Sequence, residues 1–214
     1  MRRLLAVLFA LIVAFMAGPA SAMQFALLQT SDGQHPLLAS GEIKPGDARR
    51  LIAALQRVSR DKQGTKEIYL DSPGGTVADA LEMAQVMAQV GVSTIVPAKA
   101  ICASACASVM FVAGKYRTVQ KGGRLLIHSC YDARTGGKID YCDAVISALA
   151  QKRGISGRAM MAFQEIAPGP DSGVLFDAAD AACFGLTRAP GKAELGDNAP
   201  CIQKILHSGR KKKK

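Results

Sequence analysis

The stretch 67–96 constrains the fold more than any other part of the chain. Residues 67–70 read as a short apolar strand running into Asp71-Ser72-Pro73-Gly74-Gly75, a sharp turn. From Thr76 onward, Val77, Ala80, Leu81, Ala84, Met87 and Ala88 recur at three and four positions, the period of one helix face. Gly91 ends that helix, and Val92–Val96 follows as a strand of the fully buried type. Strand, helix and strand in succession point to parallel pairing in an α/β domain.

The remaining chain extends the alternation. Residues 24–29 are a strand candidate. Pro45-Gly46-Asp47 opens a helix with Leu51, Ile52, Leu55 and Val58 at helical spacing. An Ala-rich apolar segment over 102–113 reads as a further helix, closed by Gly114. Residues 124–127 form a strand that runs into His128, and a polar loop over 131–138 leads to a helix over about 139–152. Ser156 caps another helix towards Ile166, and Phe176-Asp177 introduces a short one ending at Gly185. With 49% hydrophobic and 21% charged residues, the chain is neither disordered nor low in complexity.

The N-terminus has the layout of an export signal. Arg2-Arg3 precede an uncharged apolar run over 4–17, then Gly18-Pro19 and the small residues Ala20-Ser21-Ala22. The run falls short of the roughly 20 residues a spanning helix needs. The expected organisation is a signal peptide over 1–22, one α/β domain over 23–209 and a basic tail over 210–214, with an uncleaved anchor as the alternative. The destination is then the periplasm or the exterior.

Export also explains the charge. The formal net charge is +10, from 27 basic and 17 acidic residues. Without Arg2, Arg3 and the tail, 20 basic residues face the same 17 acidic ones. Tryptophan is absent and aromatics are 5%, so stacking platforms for single-stranded nucleic acid are not expected. No nucleic-acid partner is therefore expected. The tail is either a solvated end or a peripheral contact with anionic lipid.

Six cysteines (Cys102, Cys106, Cys130, Cys142, Cys183 and Cys201) in an oxidising compartment suggest disulfides, with 15 possible full pairings. No CxxC pair occurs and the three histidines are scattered, so no metal site is expected. Neither His35 nor His207 is given a role.

Chemistry concentrates in three places. The turn 71–75 can aim backbone amides at one point beside a helix N-terminus, a nest for an oxyanion or phosphate. It lacks the lysine of a phosphate-binding loop. Ser104 lies between small residues, Cys102-Ala103-Ser104-Ala105-Cys106, at the expected helix start. His128 leaves a strand end for a loop, the place where a general base is displayed.

Together, the order Ser72-Pro73-Gly74-Gly75, Ser104 and Leu126-Ile127-His128 resembles the proteolytic subunit of Clp protease. It also resembles the wider ClpP/crotonase superfamily, including signal peptide peptidase A. The resemblance runs over about 67–186 and includes Ala113-Gly114, Arg117 and Phe184-Gly185-Leu186. It implies a ClpP/crotonase-like α/β fold, a superhelix of repeated β-β-α units in a single domain.

It also implies Ser104 as nucleophile, His128 as general base, and the amides of Ala105 and of Gly74 or Gly75 as oxyanion donors. No cofactor is implied. Cysteines at 102 and 106 stand where the family has Ala and Gly, and one extra residue separates Ser104 from Ala113-Gly114. The family's acidic slot falls on Gly173, which leaves Asp171 as the candidate third member, or a Ser-His or Ser-Lys dyad. A disulfide from Cys102 or Cys106 could hold or gate the site.

Three functions remain. One is an exported serine peptidase acting on peptides or unfolded segments, as a homo-oligomer. Another is an inactive scaffold for binding or assembly. The third, acyl-CoA chemistry of the crotonase type, is at odds with export.

Overall fold

The computed structural model describes residues 22–31 and 33–204. The expected signal segment up to Ser21, the last residues of the expected domain and the basic tail lie outside the described residues. Every residue of Val92–Val96 is buried, as befits a strand covered on both faces. Val92 and Val96 have no exposed surface, and burying each contributes about 1.5–3 kcal/mol. This strand is the fourth of a series: β1 (Gln24–Leu27), β2 (Leu37–Ser40), β3 (Lys66–Asp71) and β4 itself. A larger sheet forms in the order β1-β2-β3-β4-β6, where β6 is Arg117–Val119. Its first pairing is antiparallel and the other three are parallel.

A second sheet has the order β5-β7-β8, with β5 Ile101–Ala103, β7 Arg124–Ile127 and β8 Val174–Phe176. β5 and β7 run parallel, and β7 and β8 antiparallel. The helices are α1 (Asp47–Gln56), α2 (Val77–Val90), a π-helical segment Cys106–Phe111, α3 (Asp140–Lys152), α4 (Gly157–Ile166) and α5 (Ala178–Cys183). α2 buries Ala80, Met83, Ala84 and Met87 and ends at Gly91, whose φ of 78° suits glycine. Ser156 Oγ accepts from the Ala159 amide, the expected cap of α4. Phe163, Phe176 and Phe184 pack edge to face, with centroids 4.8–5.7 Å apart, and join α4, β8 and the end of α5.

Several expectations need correcting. Residues 102–113 are not one helix: Cys102 lies in β5, and the chain turns at Ser104 before the helical segment begins. Phe176 belongs to β8, and Asp177, accepting from the Ala179 and Asp180 amides, is the cap of α5. Ile52, one of the four apolar residues at helical spacing, is 45% exposed, whereas Leu51, Leu55 and Val58 are buried. β5, β6 and β8 have three residues each, too few for a period of two to stand out.

Arg117 is buried, and its guanidinium donates to the carbonyls of Leu186 (2.8 Å) and Gly114 (3.0 Å). Burial pushes it down to about 10. It thereby ties β6 to the turn after α5.

The cysteines pair as Cys102–Cys106, Cys130–Cys142 and Cys183–Cys201. Among the described residues no helix is long and apolar enough to cross a membrane.

Cys183–Cys201 joins α5 to residues 18 positions further on. The double variant Cys183→Ala/Cys201→Ala should lose about 2–4 kcal/mol of unfolding free energy in a denaturant titration. An unchanged midpoint would show that the C-terminal segment holds its place without the cross-link.

Candidate active site

Backbone hydrogen bonds bring the three singled-out segments together. The Ser72 amide donates to the Ile101 carbonyl (2.8 Å) and the Ala103 amide to the Ser72 carbonyl (2.9 Å), so the turn after β3 is laced to β5. β5 pairs with β7 in the register Ala103↔Leu126, and the Ser104 amide donates to the Leu126 carbonyl at 2.9 Å. Ser104 and His128 therefore leave neighbouring parallel strands at the same end. Both line a cavity of about 710 Å³, with Gly74, Gly75 and Ala105 in its wall. Leu126, Ile139, Ile146 and Val77 add apolar surface, and Glu42 also lines the cavity.

Ser104 has φ 55°, a left-handed conformation that is costly for a residue with a Cβ. The strained turn sits between β5 and the segment Cys106–Phe111, and it presents the hydroxyl at a helix N-terminus. The Ser104 carbonyl accepts from both the amide and the hydroxyl of Ser108, at 2.9 Å each. Cys102–Cys106 closes the turn covalently, with Cα atoms 5.2 Å apart.

Gly74 is needed for close approach. A Cβ there would lie 2.6 Å from the Ala103 carbonyl oxygen and 2.7 Å from Ser104 Cβ. At Gly75 a Cβ would lie 2.2 Å from the Ile43 carbonyl oxygen. Ile43 holds this turn from the far side, donating to the Gly74 carbonyl (2.7 Å) and accepting from Thr76 (3.0 Å). The Gly74 amide donates to Ser72 Oγ at 3.1 Å, and that hydroxyl donates to the Gly41 carbonyl at 2.6 Å. Among the described residues nothing accepts a hydrogen bond from the Gly75 amide. Ala105 begins the helical turn, where amides lack intrahelical partners.

His128 is 9% exposed, and its Nδ1 lies 2.7 Å from the Ser129 carbonyl oxygen. A carbonyl can only accept, so Nδ1 carries the proton and the neutral ring keeps its lone pair on Nε2. The Tyr131 ring packs beside it, with centroids 5.6 Å apart. No hydrogen bond joins Ser104 Oγ to the ring among the described residues, a common condition in unliganded sites.

The structure does not bring Asp171 to the imidazole. It lies exposed in the turn after α4, while His128 Nδ1 goes to Ser129 instead. Gly173 packs on Leu126, whose Cδ2 would stand 2.7 Å from a Cβ at that position.

Two residues that sequence reasoning missed lie next to the histidine. Ser129 and Asp143 are both buried, and the Ser129 hydroxyl donates to the Asp143 carboxylate. That carboxylate also accepts from the Cys130 amide at 2.7 Å and faces Lys138 Nζ at 3.6 Å. Contact with Asp140 is the main cause that raises the Lys138 ammonium above its ordinary range. Asp143 sits in the first turn of α3, where an acidic residue looks like a helix-end preference. No signal short of the fold marks it out.

A family model described as Clp protease matches residues 26–189. Among solved structures, the chain is similar to the ClpP protease catalytic domain from Plasmodium falciparum. The two share 18% identity over 71% of this chain and 84% of that one, with a TM-score of 0.50. At that identity the likeness is one of fold. No curated protein matches.

Gly74→Ala combines a disfavoured φ of 93° with a clash against the Ser104 turn. It should lower unfolding free energy by about 1–3 kcal/mol, read by thermal or urea melting. A wild-type midpoint would mean that the turn relaxes around the added methyl.

Proposed function

The chain belongs to the Clp protease family, and on that premise we propose that it is an exported serine peptidase working with a Ser104–His128 dyad. The observation that carries this reading is the meeting of Ser104 and His128 in one cavity, with the ring proton held on Nδ1.

The chemistry follows from that arrangement. Ser104 Oγ attacks the scissile carbonyl carbon while His128 Nε2 takes its proton. The carbonyl oxygen becomes an oxyanion and receives hydrogen bonds from the amides of Gly75 and Ala105. Collapse of that intermediate breaks the C–N bond, and the imidazolium returns its proton to the leaving amine. Water, deprotonated by the same ring, then attacks the Ser104 ester, releasing the carboxylic acid and restoring the hydroxyl. The Ser129 carbonyl does part of the work of a triad acid, since it fixes the tautomer and accepts from the charged ring.

Peptides or unfolded protein segments are the substrates this reading requires, and a homo-oligomer is the assembled form the family suggests. No cofactor takes part. Three disulfides accord with an oxidising compartment such as the periplasm or exterior, with residues 1–22 directing export.

The test is labelling of the oxidised protein by a fluorophosphonate probe. Ser104→Ala should abolish labelling, and His128→Ala should slow it about 10²- to 10⁴-fold. If the wild type stays unlabelled under oxidising and reducing conditions alike, the peptidase reading fails and an inactive scaffold for binding or assembly takes its place.

A further inference from the structure

Asp143 is a carboxylate with 1% of its surface exposed, and a buried charge is retained only where donors satisfy it. Its donors are the Ser129 hydroxyl and the Cys130 amide at 2.7 Å, and Lys138 pairs with it as a counter-charge at 3.6 Å. The Cys130 N–H and the Ser129 C=O belong to a single peptide group. One end of that planar, conjugated unit donates to the carboxylate. The other end accepts from His128 Nδ1 at 2.7 Å. A negative charge at the N–H end polarises the amide and makes its oxygen a stronger acceptor, as hydrogen bonds in series do in a low dielectric.

We propose that Asp143 is the positioning residue of His128, acting through the Ser129–Cys130 peptide group in place of a carboxylate that touches the ring. The inference deepens the dyad reading and rests on it. The Cys130–Cys142 disulfide joins the residue carrying that N–H to the residue before Asp143, with Cα atoms 5.9 Å apart, so a covalent link holds the same two segments together. The imidazolium formed when His128 takes the Ser104 proton then meets a dipole reinforced by a full charge one peptide unit away. No proton leaves the ring for Asp143.

The experiment is nitrogen-15 NMR of the histidine rings in the oxidised full chain, beside fluorophosphonate labelling rates. In the wild type, the neutral His128 ring should be the Nδ1–H tautomer. An Nε2–H ring overturns the proposal whether or not the serine reacts. Asp143→Asn should give a mixture of tautomers and slow labelling about 10- to 100-fold, the size of effect when an outer partner that orients a histidine is removed. A folded Asp143→Asn protein that labels within about twofold of the wild type overturns it.

Ser129→Ala removes the hydroxyl contact but keeps the peptide group and its bond to Asp143. It should slow labelling less than Asp143→Asn does. An equal loss would place the effect in the hydroxyl tether and overturn the peptide route. Should Asp143→Asn fail to fold, Ser129→Ala decides: labelling within a few fold of the wild type upholds the peptide route, and a loss of about 10-fold or more overturns it. A wild type with the Nδ1–H ring that resists the probe refutes the peptidase reading alone.

Discussion

The parallel ladder between β5 and β7 is the interaction on which the rest of the site depends. Three paired positions and the Ser104-to-Leu126 hydrogen bond set where the two strands end relative to one another. Ser104 and His128 follow at once, each the first residue past its strand. Their separation is thus set by main-chain geometry rather than by side-chain packing. A shift of one residue in this register would turn His128 to the opposite face of the sheet. The lacing of Ser72 to Ile101 and Ala103 adds the glycine turn to the same framework, so one set of amide bonds aligns three distant stretches of sequence.

Around that framework the chain has little slack. Gly74 presses on Ser104, Gly75 on Ile43, and Gly173 on Leu126, each at distances that leave no room for a methyl group. The last of these places the Leu126 side chain where a side chain at position 173 would begin. The buried carboxylate of Asp143, on α3, meets the N–H end of the Ser129–Cys130 peptide group whose carbonyl faces His128. On the proposed dyad, electrostatic support for the imidazolium passes through that peptide group rather than through a direct contact.

Much of this was legible in the residues. The period of three and four from Val77 to Ala88, the Gly91 stop and the apolar run Val92–Val96 each became the element expected, because a long periodic segment is set by its own burial pattern. Ser104, His128 and the paired glycines, which the fold gathers in one cavity, stand out in the sequence because their residue types are unusual at such junctions. The short strands β5, β6 and β8 were not legible, since three residues cannot display alternation and only their partners define them. Asp171 was favoured for lying near a slot in sequence, whereas the folded chain leaves it in solvent. Asp143 looked like any acidic residue opening a helix, and its value arises from what β7 leads into, 13 to 14 positions earlier.

The disulfides connect these observations to the redox state of the molecule. One cross-link spans the serine turn and another begins two residues after the histidine. The covalent framework is densest where the reactive groups are, rather than at the periphery of the fold. Reduction would release the covalent constraint on the Ser104 turn and on the loop that follows His128.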